Sequence, residues 1–226
     1  MNTLEILYRI GKENEDIESF SFHSFPKQHL LQDNQINWSK TDKQFFNAAL
    51  SLRNQSGLPF WDSVMLSCFN NPDYSKIILH NAMRHNSIKE DVYVEKNNLL
   101  STNLHSLCDG ERLACCSRVQ MKDKSIRHLP MLDFHIPVSD MNFKVVQEVC
   151  LTIGLHNGYL LNSGESYHYL ANFTVEWDEL FLLLAKSILF CPIIDRAWIS
   201  HQLQEKCCSL RVDKKNGKEV QFIAEI

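Results

Sequence analysis

The segment His-Leu-Pro-Met-Leu-Asp-Phe-His-Ile-Pro, at residues 128–137, decides the fold. Its apolar and polar residues alternate as in a strand, which places Leu132 and Phe134 on one face and Asp133 and His135 on the other. A carboxylate and an imidazole, two residues apart, are therefore predicted to project from the same surface of this strand.

The segments that follow predict the local order β-α-β-β. Ser139 is a residue type that caps helices, and residues 140–153 carry apolar side chains at helical spacing. Residues 158–173 have the pattern of two short strands joined by a turn at 163–165.

Residues 91–226 as a whole predict a mostly antiparallel core with helices. The other predicted elements are strands over 113–121 and 126–136, a helix over 175–190, a helix over 196–206 that Asp195 opens, and strands near 208–213 and 219–225.

Residues 1–90 predict a mainly helical region, in which side chains such as Phe45, Phe46 and Ala49 recur at helical spacing. No Gly- or Ser-rich linker separates this region from residues 91–226, so we expect the two to pack rigidly. The predicted fold class is α+β, an N-terminal helical region packed on a mostly antiparallel core.

Composition and charge are those of an ordinary globular protein, with 226 residues, 44% hydrophobic and 22% charged. The net charge of −4 means that any nucleic-acid binding must use a local basic patch. The N-terminus lacks a basic stretch followed by an apolar one, and the apolar run at 180–194 is shorter than the roughly 20 residues of a membrane span. We expect a cytoplasmic protein with reduced cysteines and no membrane partner.

Four short motifs follow one another along the second half of the chain: Asp133-Phe134-His135, Ser166-Tyr167-His168, Ile194-Asp195 and Leu210-Arg211-Val212. Their order and spacing resemble the archaeo-eukaryotic primase superfamily, the primases and primase-polymerases. In that family an acidic strand motif is followed by a helix, a hairpin with Ser-x-His, a hydrophobic-Asp motif and an Arg-containing strand. The resemblance implies a primase-like core, similar to an RNA-recognition motif in its β-α-β-β order.

The resemblance implies that Asp133, His135 and Asp195 are catalytic metal ligands. Carboxylate oxygens suit Mg²⁺ or Mn²⁺, which neutralise charge on a reacting triphosphate. Because His135 stands where the family usually has a second carboxylate, this chain resembles a small divergent member with a single Asp in the first acidic motif. We expect Mn²⁺ to be favoured and one ion to be bound better than two. The alternatives are that Asp195 only caps a helix and that His135 is a structural histidine.

The hairpin is the predicted nucleotide-binding segment. The resemblance implies that Ser163, Gly164, Ser166 and His168 face the phosphates of an incoming nucleotide, where hydroxyl, imidazole and backbone donors suit an anion. Gly164-x-Ser166 could instead begin the nucleophile elbow of a hydrolase. That motif needs a second Gly, where His168 stands, and a following helix, where a strand is predicted. An ordinary polar turn is the third alternative.

Cations follow on a late predicted strand. Arg211 lies between two apolar residues, so it projects from the face opposite theirs and is predicted to bind phosphate together with Lys214. The alternative is that Lys214 and its neighbours are solvated surface lysines.

The adjacent pairs Cys115-Cys116 and Cys207-Cys208 do not form a zinc motif by spacing. Neighbouring residues on a strand face opposite ways, and no Cys-x-x-Cys pair exists. Structural zinc is therefore not expected, although one cysteine from each pair could meet a histidine in space.

The sequence alone leaves two possible functions open. The leading hypothesis is a metal-dependent nucleotidyltransferase of the primase-polymerase type, which binds nucleoside triphosphate and nucleic acid. The alternative is a catalytically degenerate primase-like subunit that binds nucleotide or nucleic acid within a larger protein assembly for replication, a mobile element or antiviral defence. His135 and the acidic net charge favour the alternative, whereas Ser166, His168 and Arg211 favour a working nucleotide site.

Overall fold

The computed structural model describes residues 1–25, 40–68, 70, 71, 73, 76, 91–103, 112–212 and 217–226. These residues form helices and antiparallel sheets, so the chain has the predicted α+β class. In chain order the elements are α1 (Thr3–Glu13), β1 (Ile17–Phe25), α2 (Lys40–Ser56), α3 (Phe60–Ser67), β2 (Val92–Glu95), β3 (Arg112–Met121), β4 (Ile126–His128), β5 (Met131–Asp133), α4 (Asp140–Ile153), β6 (Gly158–Asn162), β7 (Tyr167–Ala171), α5 (Trp177–Ser187), α6 (Arg196–Glu205), β8 (Ser209–Arg211) and β9 (Gln221–Glu225), with short 3-10 turns at Lys96–Asn98 and Ile188–Phe190.

The chain groups into two compact units, residues 1–25 with 88–226 and residues 26–87. In the smaller unit, α2 and α3 share a buried cluster of Ala49, Val64 and Cys68. In the larger unit, the prediction that the first 90 residues are mainly helical is wrong for residues 17–25. These residues form β1, a strand paired with β2 and β3. Phe20 and Phe22 are buried in the core and alternate with serines along β1, and this period of two favours a strand.

Two antiparallel sheets organise the larger unit. A five-stranded sheet has the order β2-β1-β3-β4, with β8 also paired to β3, and a four-stranded sheet has the order β5-β7-β6-β9. The strand predicted over residues 126–136 is two strands, because β4 belongs to the first sheet and β5 to the second. Pro130 lies between them, and proline has no backbone N–H to continue a ladder.

The β-α-β-β order predicted after residue 130 is observed as β5-α4-β6-β7. Ser139 caps α4 by accepting a hydrogen bond from Asn142 N, and Gly154 ends the helix with a left-handed φ of 97°. The buried stripe of α4 joins a single apolar core with residues of both sheets. None of the helices within the described residues is long and apolar enough to cross a membrane.

We expect Gly158→Ala, at the start of β6, to destabilise the larger unit. An added Cβ would lie 2.5 Å from Tyr169 Cζ and 2.6 Å from Leu170 O. Tyr169 is fixed because its hydroxyl donates a hydrogen bond to Asn157 O at 3.0 Å. Denaturant unfolding should show a loss of about 1–3 kcal/mol, the usual range for overpacking.

The matched control for this prediction is Gly11→Ala in α1. The atoms nearest to an added Cβ there belong to the side chains of Lys96 and Phe20, at 3.1 Å, and alanine favours the helix by about 1 kcal/mol. A smaller change is expected for this variant. If Gly158→Ala unfolds with the same free energy as the native protein, the prediction is wrong, because the backbone around Tyr169 then shifts at little cost.

Candidate functional site

Asp133 and His168 face each other across adjacent strands. Asp133 ends β5 and lies directly opposite His168 in the antiparallel register with β7. Their side chains approach to 3.6 Å between Asp133 Oδ1 and His168 Nε2. The His168 side chain is 7% exposed and that of Asp133 is 26% exposed, so the pair lies at the edge of the buried core with the carboxylate partly exposed.

His135 and Asp195 form a second pair beside the first. The backbone N–H of Asp195 donates to Asp133 O at 2.9 Å, and that of His135 donates to Ile193 O at 2.8 Å, so the segment before α6 runs alongside the end of β5. His135 Nδ1 lies 3.7 Å from Asp195 Oδ2. The backbone therefore holds both carboxylates at one end of β5.

Asp195 also caps α6, as the alternative interpretation predicted. Its Oδ1 accepts hydrogen bonds from Ala197 N at 2.8 Å and Trp198 N at 3.0 Å. These bonds fix the carboxylate, whose other oxygen faces His135. Capping and a role beside Asp133 are therefore compatible in this geometry.

Hydrogen bonds hold the hairpin turn before His168 in a defined conformation. Ser163 Oγ lies 3.1 Å from Ser166 Oγ, and Gly164 has a left-handed φ of 103° that favours glycine. Between Ser166 and His168, the buried Tyr167 hydroxyl accepts from Ser139 N at 2.9 Å and donates to Ser139 O at 2.8 Å. The tyrosine thereby ties the start of α4 to the strand that carries His168.

Arg211 reaches this turn from the other sheet. Its Nη2 donates to Ser163 O at 2.7 Å, although β8 belongs to the five-stranded sheet. Lys218 Nζ lies 3.4 Å from Gly164 O. Two cations therefore border the turn, whereas the predicted ligand Lys214 and its neighbour Lys215 lie outside the described residues.

Asp133 and His168, together with Asp195 and His135, form two carboxylate–imidazole pairs. Such a set offers oxygen and nitrogen ligands to a divalent cation, with hydroxyl, imidazole and guanidinium groups nearby for an anion. Within the part of the chain that the structure describes, the three candidate ligand atoms that all lie within 4.8 Å of one another belong instead to His23, Asp91 and Cys116.

Sequence reasoning noted that one cysteine of each adjacent pair could meet a histidine, but it did not identify His23 or Asp91 as members of this second cluster. It assigned His23 to a helical region, and the available indication was the alternation of apolar and polar residues along β1. Asp91 precedes β2 without any local motif, so its proximity to the other two side chains is a property of the tertiary fold.

Comparison with known families gives one result that bears on this site. The family model described as archaeo-eukaryotic primase 1D-like, or AEP-like, matches residues 94–223. The match spans more than half of the chain and contains Asp133, His135, His168, Asp195 and Arg211. Comparisons with curated proteins and with solved structures give no match.

Proposed function

Because the chain belongs to the archaeo-eukaryotic primase-like family, we propose that it is a metal-dependent nucleotidyltransferase of the primase-polymerase type that acts on nucleoside triphosphate and nucleic acid. The observation that carries this proposal is the direct opposition of Asp133 and His168 on neighbouring strands inside the matched region. It brings a candidate metal ligand and a candidate phosphate ligand within 3.6 Å of each other.

Asp133, His135 and Asp195 would hold the divalent cation. The chemistry of the donor set suits such an ion, because both carboxylates lie at one end of β5 and remain partly exposed, at 26% and 30%. Among the described residues, the ligand atoms of these three do not all lie within 4.8 Å of one another, so the side chains would have to move together around the ion. A bound Mg²⁺ or Mn²⁺ would supply positive charge against the developing negative charge of a triphosphate. The imidazole of His135 replaces an oxygen ligand and so favours Mn²⁺.

The turn residues Ser163, Gly164 and Ser166 would bind the nucleotide together with His168 and Arg211, and we extend this proposal to Lys214. Support comes from the bond between Arg211 and Ser163 O, which positions a guanidinium at the turn. Guanidinium donors bind phosphate oxygens in a fixed geometry. The net charge of −4 makes this local cationic border the relevant attraction for a triphosphate or a nucleic-acid backbone.

The second candidate function is a primase-like module that binds nucleotide or nucleic acid inside a larger assembly without catalysis. The observation that favours it is the pairing of each carboxylate with a histidine, at 3.6 Å and 3.7 Å. Each imidazole can itself serve as the polar neighbour of its carboxylate, in the place of a metal ion. Such a site would keep its shape without catalysing transfer.

Nucleotide binding tests the metal and phosphate roles together. Isothermal titration with a nucleoside triphosphate should give tighter binding in Mn²⁺ than in Mg²⁺. Asp133→Ala should abolish this metal-dependent part, since it removes a charged ligand. Asp178→Ala, which removes an exposed carboxylate in the first turn of α5, is the matched control and should bind as the native protein does.

Equal binding in both metals, unaffected by Asp133→Ala, would overturn the metal assignment. Absence of any triphosphate binding in Mn²⁺ would overturn the nucleotide assignment as well.

A further inference from the structure

A second group of chemically reactive side chains lies away from Asp133. His23 is on β1, Cys116 is on β3 and Asp91 immediately precedes β2. His23 Nδ1 lies 2.7 Å from Cys116 Sγ, and Cys116 Sγ lies 3.9 Å from Asp91 Oδ1. The Cys207 thiol, just after α6, shares a hydrogen bond with the Cys116 thiol. All four residues belong to the larger compact unit.

One cysteine of each adjacent pair belongs to this group. Cys115 and Cys208 are in the apolar core, whereas Cys116 and Cys207 are buried outside that cluster. β3 is irregular here, because Phe20 pairs with Val119 and Phe22 with Cys115, so that residues 116–118 oppose a single residue of β1. Such bulges redirect side chains.

Neighbouring groups hold these side chains in place. Arg118 binds Asp91 Oδ2 through Nε and Nη2, both at 2.7 Å, which leaves Oδ1 directed toward Cys116. Ser117 Oγ lies 3.6 Å from Cys207 Sγ and accepts from Cys208 N at 2.9 Å. Partners that orient ligands in this way are typical of metal centres.

His23, Cys116 and Cys207 are buried and Asp91 is partly exposed, so an ion bound by them would be largely excluded from solvent.

We propose that Cys116, Cys207, His23 and Asp91 bind a structural zinc ion. Two sulfur ligands, one imidazole and one carboxylate form a ligand set that zinc accepts in tetrahedral geometry and that Mg²⁺ does not prefer. Zinc bond lengths place sulfur and nitrogen ligands about 3.6 Å apart. The ligand atoms of His23, Asp91 and Cys116 already lie within 4.8 Å of one another, and the Cys207 side chain would turn toward them to complete the set.

Charge balance supports the same assignment. Two thiolates, the Asp91 carboxylate, Zn²⁺ and the Arg118 guanidinium together carry no net charge. The ion would join β1 and β3 to the segment before β2 and the segment after α6, which lie far apart in sequence. This role does not depend on the proposed nucleotidyltransfer.

The test is the metal content of the purified full chain, measured by inductively coupled plasma mass spectrometry. The native protein and Cys115→Ala should contain one zinc per chain, whereas Cys116→Ala and His23→Ala should contain almost none. Cys115 is the matched control because it lies on the same strand but in the apolar core. Chelation should lower the Tm of the native protein by about 5 °C or more.

A second measurement covers variants that fail to fold. Native protein stripped of metal and titrated with Co²⁺ should develop thiolate-to-cobalt charge-transfer absorption. The proposal is overturned if the native protein contains no zinc and gives no such absorption. It is also overturned if Cys116 and Cys207 form a disulfide, or if Cys115→Ala loses zinc as completely as Cys116→Ala.

Discussion

Replacement of Asp133 by asparagine is expected to reduce metal-dependent nucleotide incorporation by about a thousandfold or more. The substitution keeps the size of the side chain opposite His168 but removes the negative charge that would hold the cation. Loss of a catalytic metal contact removes several kcal/mol of transition-state stabilisation, and about 1.4 kcal/mol corresponds to a tenfold change in rate. Single-turnover incorporation at saturating Mn²⁺ measures this effect directly.

The control for this experiment is Asp178→Asn, which removes an equivalent charge from an exposed position on α5. It should incorporate nucleotide at the native rate. Thermal unfolding should show that Asp133→Asn remains folded, because Asp133 is at the end of its strand and partly exposed. Unchanged incorporation by a folded Asp133→Asn protein would remove Asp133 from the catalytic site.

Replacement of His135 by aspartate is expected to tighten Mg²⁺ binding by about tenfold or more. The new carboxylate supplies the charged oxygen that hard cations prefer, beside Asp195 and at the end of the strand that carries Asp133. The preference for Mn²⁺ over Mg²⁺ should shrink accordingly. Calorimetric titration of the two metals into native and variant proteins measures both changes, and His156→Asp, at an exposed position before β6, is the matched control.

The same variant separates the two proposed functions through its effect on incorporation. If the native chain is an enzyme, His135→Asp should leave the rate equal or lower it, because the other ligands are arranged around an imidazole. This is the result we expect. A rise of orders of magnitude from an inactive native protein would instead show that His135 disabled the site, and would favour the non-catalytic module.

Local signals in the sequence were sufficient for much of the primase-like half. Ser139 caps α4 and the helix spans residues 140–153 as predicted, because capping is decided by residues adjacent to the helix. The hairpin of β6 and β7 and the cap at Asp195 follow from equally local chemistry. These local signals were therefore enough to predict that Asp133 and His168 lie on strands of the same β-α-β-β unit.

Features that depend on tertiary pairing were not predicted. β1 lay in a region assigned as helical, although Phe20 and Phe22 alternate with serines, because its partner β3 is some hundred residues away. The division of one expected strand into β4 and β5 depends on which sheet each half joins. The bond from Arg211 to Ser163 O and the meeting of His23 with Cys116 likewise join residues from distant parts of the chain.

Nucleotide incorporation by the native protein, on primed and unprimed templates with Mn²⁺, tests the central claim most directly. We predict template-dependent extension that requires the metal and disappears with Asp133→Asn. No incorporation on either template by a folded, Mn²⁺-loaded protein would contradict the assignment as a nucleotidyltransferase.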